Sequence, residues 1–318
     1  MIVSCGEALI DMVPVPVGDE QAYLPRAGGS SYNVAIGLAR LGARTGYLGR
    51  VSTDHFGRLL LDRLVANGVD CTYVLEGAEA TTLAVVHLEP GHEPQFAFYG
   101  EGTADRLFLE ADLPALRDDV AALHFGSISL VREPGASTYE ALMRRESGRR
   151  LLSLDPNVRP SLIPDRAAYV ERLEGWVGLV DLVKVSRADL GWLYPALSPD
   201  EAARRWRALG PSLVVVTRGE EGAMAITAAG VVDVAGTAVE VADTVGAGDA
   251  FTAALLAWLD EHGRLERGSL GQLDAAELAA CLAFANEVAA RTCTRAGAEP
   301  PHRVELAEAR PSAEAPAE

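Results

Sequence analysis

Val241-Ala242-Asp243-Thr244-Val245-Gly246-Ala247-Gly248-Asp249-Ala250-Phe251 decides how this chain reads. It stands between a β-rich run at 231–241 and an apolar helical pattern marked by Phe251, Leu255, Leu256 and Leu259. Gly246 and Gly248 let backbone amides approach an anion closely. Those amides fall at a helix start, where free N–H groups and the macrodipole favour negative charge, so the string reads as a phosphate cradle. Asp249 falls in the first turn beside it, where a carboxylate can take a proton from an attacking hydroxyl. A lone Gly-x-Gly would be an ordinary turn; the whole string carries the functional reading.

Two other phosphate-binding patterns are missing. There is no Gly-x4-Gly-Lys-Ser/Thr loop, and the only lysine, Lys184, lies elsewhere and reads as composition bias in an Arg-rich chain. A Gly-x-Gly-x-x-Gly fingerprint should follow the first strand, but Cys5-Gly6-Glu7-Ala8 lacks it.

Outward from the motif, short β-branched runs alternate with helical patterns, which predicts an α/β fold with βαβ units and a mostly parallel sheet. Strands are expected at 2–5, 45–51, 121–125, 151–155, 182–185 and 212–217, and helices at 32–41, 56–67 and 247–261. In the helix at 56–67, Leu60 and Leu64 share a face and Gly68 is a natural stop. Runs at 81–88 and 95–99, joined by the turn-rich 89–94, break the rhythm and predict a small β-lid, with further lid strands from 12–25. The 318 residues, 49% apolar, can bury a sizeable core. The pattern is read as one domain over 1–306, with the Ala-, Glu- and Pro-rich 307–318 as a disordered tail.

A formal charge of −17, with no Lys/Arg stripe, speaks against nucleic acid as a partner. No apolar run reaches the roughly 20 residues of a membrane helix, and no secretory pattern opens the chain. Cys5, Cys71, Cys281 and Cys293 are scattered, as expected of buried thiols in a reducing cytoplasm.

Gly28-Gly29-Ser30-Ser31-Tyr32-Asn33-Val34-Ala35 is the second candidate motif. Its glycine pair permits close backbone approach to a ligand, and Asn33 offers donors and an acceptor suited to a sugar hydroxyl, or else a helix N-terminal residue. Gly28-Gly29 with Asn33 and Ala39-Arg40-Leu41-Gly42 resembles the first motif of the ribokinase-like (PfkB-type) carbohydrate kinases. Asp243 to Asp249 resembles that family's second motif, and the likeness covers about residues 1–303.

The resemblance implies a three-layer α/β/α fold with a small β-sheet lid, and ATP-dependent phosphorylation of a primary hydroxyl on a small sugar. Asp249 would be the base, and Gly246, Ala247 and Gly248 the anion hole for the transferred phosphoryl group. Asp11 would bind sugar hydroxyls with Gly28, Gly29 and Asn33. Thr217-Arg218-Gly219-Glu220-Glu221-Gly222 resembles the nucleotide-side loop, which implies ATP contacts from Thr217, Gly219 and Gly222. Asn286 would lie near adenine, and Asp243 with the 295–298 loop resembles a monovalent-cation (K+) site.

Two positions depart from the family. Where many members carry Asn and Glu for Mg2+ and phosphates, this chain has Ser186 and Asp189. They keep oxygen chemistry, with the shorter Asp189 reaching Mg2+ through water. Val245 replaces a common Thr, which matters little where a backbone carbonyl serves.

Asp155-Pro156-Asn157-Val158-Arg159 resembles the matching stretch of fructokinases and of 2-keto-3-deoxygluconate kinases. A sugar acid calls for a bidentate Arg, and Phe98-Tyr99-Gly100 lacks the lid Arg of the acid-sugar relatives. Although Arg159 and, nearby in sequence, Arg106 remain, the missing lid Arg makes the expectation a neutral ketose, fructose first. A sugar-acid kinase, a nucleoside kinase and a non-catalytic sugar or nucleotide sensor are the alternatives. The lid of many relatives pairs across a homodimer, and apolar Leu83, Val85, Phe96 and Phe98 favour such cover.

Overall fold

The computed structural model describes residues 1–87 and 95–308. Its strands begin with β1 (Ile2–Cys5), β2 (Leu9–Val17), β3 (Glu20–Gly28), β4 (Thr45–Ser52), β5 (Asp70–Gly77), β6 (Leu83–His87) and β7 (Gln95–Tyr99). They continue with β8 (Ala122–Gly126), β9 (Leu151–Asp155), β10 (Leu182–Ser186), β11 (Leu213–Thr217), β12 (Ala223–Ile226) and β13 (Val231–Val234). The main sheet has the order β13-β12-β11-β10-β9-β8-β1-β4-β5, and a second sheet has the order β3-β2-β6-β7. From β5 to β11 the main sheet is parallel; β12 and β13 are antiparallel.

Three helices lead the chain into and out of the lid and sheet: α1 (Ser30–Arg40), α2 (His55–Ala66) and α3 (Gly135–Glu146). Three more alternate with the later strands: α4 (Arg166–Val177), α5 (Arg187–Leu193) and α6 (Pro199–Leu209). The chain then forms α7 (Ala247–Glu261), α8 (Ala275–Cys293) and α9 (Arg303–Glu308). β1, β8 and β9 are buried throughout because helices cover both faces. Successive β1 residues feed opposite layers, as the strand period requires. Val3 and Cys5 pack toward Leu142 of α3, Trp176 of α4 and Trp206 of α6. Ile2 packs toward Val34 and Leu38 of α1, Leu255 of α7 and Leu282 of α8. The three-layer α/β expectation therefore stands.

Asp54 caps α2 by accepting the Gly57 amide at 2.7 Å, Leu60 and Leu64 are buried, and Gly68 takes a φ of 75° beyond the helix end. The lid strands run further than expected, from Leu9 to Gly28 rather than 12–25. Pro14 and Pro16 are tolerated there because β6 pairs β2 only at Ile10–Met12. Ile10 N donates to Thr82 O, so the even positions of β2 turn their N–H side away from β3.

Other expectations need correction. The β-rich run at 231–241 is strand only to Val234; the rest is irregular and borders a cavity. The tail does not start at 307, since α9 runs to Glu308. The link 89–94, Leu88 and residues 309–318 lie outside the described residues.

Candidate active site

Gly246 takes a left-handed φ of 76°, and a Cβ there would lie 2.5 Å from Ala298 Cβ, so a larger residue would be both strained and crowded. The turn delivers the chain into α7. Ala247 N donates to Thr244 O at 3.2 Å. The amides of Gly246, Gly248 and Asp249 have no hydrogen-bond partner among the described residues. Of the three amides expected to form an anion cradle, those of Gly246 and Gly248 are therefore free to receive an anion, while Ala247's amide serves the turn itself.

Asp249, one turn in, is 6% exposed. It accepts Ser30 Oγ at 2.6 Å, Asn33 Nδ2 at 2.9 Å and, more weakly, Asn157 Nδ2 at 3.5 Å. Burial lifts its carboxyl to about 6; Ser30 and Asn33 resist the rise, Asp155 adds to it, and Lys184 opposes it. It is therefore mostly ionised at neutral pH yet close to the range where a base works well.

The second motif meets the first here. Gly29 has a φ of 107°, and a Cβ on it would lie 2.7 Å from Glu7 O, so only glycine lets α1 start this close to β1. Asn33 spends its amide on Asp249, which makes it an orienter of that carboxylate as well as a polar group of the cavity wall.

A cavity of about 440 Å³ opens between the C-terminal edge of the main sheet and the lid. Asp11 and Leu9 of β2 and Phe96 and Phe98 of β7 line its lid side. Gly29, Asn33, Arg159, Gly246, Gly248 and Asp249 line the rest, with Ser30, Ser127 and Asn157. Asp11 is pushed up to about 7 by burial and by Asp249, against the pull of Arg159. Gly28 does not line the cavity; a Cβ there would come 2.1 Å from Asp11 Oδ2, so its bareness leaves room for that carboxylate. Ser127 and Asn157 follow β8 and β9 with positive φ of 58° and 39°. Both rare conformations border the cavity, the usual place for tolerated backbone strain.

A second cavity, of about 650 Å³, lies across the α7 start. Thr217, Gly219 and Gly222 from the β11–β12 turn and Asn286 of α8 line it, with Ala247. Asn286 is not a surface residue: it is buried and donates to Ala235 O at 3.0 Å. The wall is largely apolar (Val239, Val241, Phe251, Ala289), as suits a planar ring. Thr244 and Gly248 line both cavities, so the two meet at the start of α7.

Other candidate residues stand apart from the two cavity walls. Ser186 accepts the Asp189 amide at 3.0 Å and caps α5. Asp189 accepts Val158 N at 3.2 Å, and burial followed by Asp155 raises its pKa. Asp243 accepts Val245 N at 3.0 Å and Gly297 N at 2.7 Å, tying the turn before α7 to the 295–298 loop. Arg106 is held by Glu101 and by Glu133 O, outside the lining of either cavity. Arg159, by contrast, does line the first cavity, with Nη1 engaged by Asn157 O and Oδ1 at 2.9 and 2.6 Å.

Sequence reasoning missed four residues. Ser30, Asn157 and Glu7 have no pattern of their own and matter only through tertiary contacts. Lys184 is no compositional accident. It is buried, pairs with Asp155 at 2.8 Å, and its Nζ would lie 3.1 Å from a Cβ on Gly248. Being the only lysine was the one available signal.

The model of the pfkB family of carbohydrate kinases matches residues 1–304. A fructokinase of Rhizobium leguminosarum bv. trifolii is 43% identical over 276 residues, 86% of this chain and 84% of that protein. A fructokinase of Xylella fastidiosa, solved with bound ATP, superposes with a TM-score of 0.87 at 30% identity, covering 96% of this chain and 98% of that one. An aminoimidazole riboside kinase of Salmonella enterica, solved with its riboside and an ATP analogue, gives 0.81 at 30% identity, covering 93% and 94%. With the family model matching nearly its whole length and a relative 43% identical, the chain belongs to the pfkB family of carbohydrate kinases.

Proposed function

We propose that this kinase phosphorylates a primary hydroxyl of fructose with ATP, giving fructose 6-phosphate. The observation that carries the reading is the junction: Thr244 and Gly248 border both cavities, and Asp249 lies beside them. A hydroxyl in the smaller cavity then faces Asp249, and a terminal phosphoryl group from the larger one arrives over the α7 start. Asp249 accepts the hydroxyl proton, while the Gly246 and Gly248 amides take the charge on the phosphoryl oxygens. Asp11, Gly29 and Asn33 bind sugar hydroxyls, and Thr217, Gly219, Gly222 and Asn286 bind the nucleotide.

Charge argues for a neutral sugar. The smaller cavity has three carboxylates (Glu7, Asp11, Asp249) in its wall and one guanidinium, Arg159, already partly engaged. A sugar acid would meet net repulsion there. A ribosyl substrate remains the second reading, since the riboside kinase is as similar in sequence as the Xylella fructokinase, at 30%.

The donor set fits Mg2+ of one kind only. No group of three His, Cys, Asp or Glu that could hold a metal occurs among the described residues. Asp189 is a single, largely desolvated carboxylate, which suits an ion that arrives on phosphates and keeps its own water. Bound Mg2+ would neutralise phosphate charge. Asp243, with no cationic side-chain partner among the described residues, is the corresponding candidate for K+. A cytoplasmic enzyme and a lid-joined homodimer belong to the same reading, the latter because Val17, Tyr23, Leu24 and Tyr99 of the second sheet are exposed.

The test is ADP release with ATP and a panel of fructose, other ketoses, sugar acids and nucleosides. Fructose should have the highest kcat/KM; a preferred acid or riboside would replace the substrate assignment. Asp249→Asn should lower kcat about 10²- to 10⁴-fold while sugar binding persists. A non-catalytic sensor would show no turnover to lose.

A further inference from the structure

Glu7, in the turn after β1, is 2% exposed and borders the smaller cavity. Its Oε1 accepts the Ser30 amide at 2.8 Å. Its Oε2 is buried and accepts no hydrogen bond among the described residues; Ser129, the nearby hydroxyl, donates to Gly126 O instead. An unpaired buried carboxylate oxygen is costly, so the neighbours must hold this side chain in place. The backbone that carries it is closely held: Tyr47 and Tyr139 hydroxyls donate to Gly6 O at 2.6 and 3.1 Å, and Gly29 lies so near that a Cβ on it would come 2.7 Å from Glu7 O.

What Glu7 holds is the start of α1. The N-cap residue, Gly29, has no side chain to accept an orphan amide. Glu7 supplies that acceptor from another element, at the helix end where negative charge is favoured. Ser30, the residue so held, gives its hydroxyl to Asp249 Oδ1, and Asn33, one turn on, gives Nδ2 to Oδ2. One amide contact therefore sits behind both short donors that aim the Asp249 carboxylate.

We infer that Glu7 is a positioning residue for Asp249, acting by fixing the Ser30 amide and, through it, the Ser30 and Asn33 side chains. The inference rests on Asp249 being the base. Burial raises the Glu7 carboxyl to about 7, but a proton taken at neutral pH can sit on the unpartnered Oε2 and leave Oε1 accepting. The contact thus survives titration.

The experiment compares Glu7→Met, Glu7→Gln, Ser30→Ala and the Glu7→Met/Ser30→Ala double variant with the unaltered enzyme. Each is assayed with ATP on the sugar the enzyme turns over, and rates are corrected for folded fraction by circular dichroism. Glu7→Met should lower kcat about 10- to 100-fold, the cost of a misplaced reacting group, with KM for ATP within about twofold. Glu7→Gln keeps an oxygen for the Ser30 amide and should restore kcat to within about fivefold of the unaltered enzyme. The double variant should be no slower than Ser30→Ala, because both changes break one chain of contacts. If Glu7→Met does not fold, Glu7→Asp, which keeps the charge but withdraws the oxygen, has the same expected loss. Retained kcat in Glu7→Met or Glu7→Asp, a Glu7→Gln as slow as Glu7→Met, or losses that multiply in the double variant would overturn the inference. Asp249→Asn is the control: if it keeps turnover, the base assignment has failed, a result separate from any Glu7 outcome.

Discussion

At the scale of single residues the site is a balance of charge and burial. Asp249 is pushed up by desolvation and held down by two short hydrogen bonds. A base works deprotonated, so kcat/KM should fall as pH drops through about 6. Ser30→Ala removes a hydrogen bond to the charged form and should move that limb upward by about one pH unit, read from a pH–rate profile. An unmoved limb would mean that the Ser30 contact does not stabilise the ionised base. Asp249 and Asn33 were legible in the sequence because each stands in a glycine-marked helix start. Ser30 and Glu7 were not, because a serine and a glutamate carry no signal until the fold brings positions 7, 30 and 249 together.

At the scale of elements, the α7 start depends on one backbone conformation and one ion pair beneath it. Gly246→Ala forces a Cβ into a left-handed turn against Ala298 and should cost about 1–3 kcal/mol of stability by urea unfolding, with a loss of kcat. Lys184 and Asp155 join β10 to β9 under Gly248. Lys184→Met strands a buried carboxylate and should cost about 3–5 kcal/mol, whereas Lys184→Met with Asp155→Asn should recover part of it. No recovery in the double variant would show that the loss was packing and not charge. The elements themselves were readable where hydrophobic period and stop signals agree, as for α2 and α7. The run at 231–241 misled because β-branched residues that line a cavity look like strand residues.

At the scale of the whole molecule, several buried carboxyls are more basic than in an unfolded chain: Glu7 and Asp11 near 7, and Asp249 near 6. Their folded pKa values are raised, so the folded state binds more protons than the unfolded state across that range. The stability this contributes is present at low pH and is lost as pH rises through the folded values. Buried His124, lowered to about 4, acts the opposite way, but only below its ordinary value of about 6.5. Above that, the N-terminal amine, whose pKa burial lowers from 8.0, opposes the carboxyls, but the raised Glu7 and Asp11 outnumber it, so the melting temperature should fall from about pH 6.5 to about pH 8. A flat or rising profile by calorimetry would contradict the raised values.

The sequence by itself determined the α/β alternation, the lid and the glycine-opened start of α7 that carries Asp249, because glycine-marked helix starts and hydrophobic period act over a few adjacent residues. Only the tertiary structure decided which polar groups serve them. It set Lys184 under Gly248, Glu7 behind α1, and two cavities back to back across Thr244 and Gly248. Hydrogen bonds and ion pairs reach only about 3 Å, so residues far apart in the chain acquire such roles only once strand order has placed them side by side.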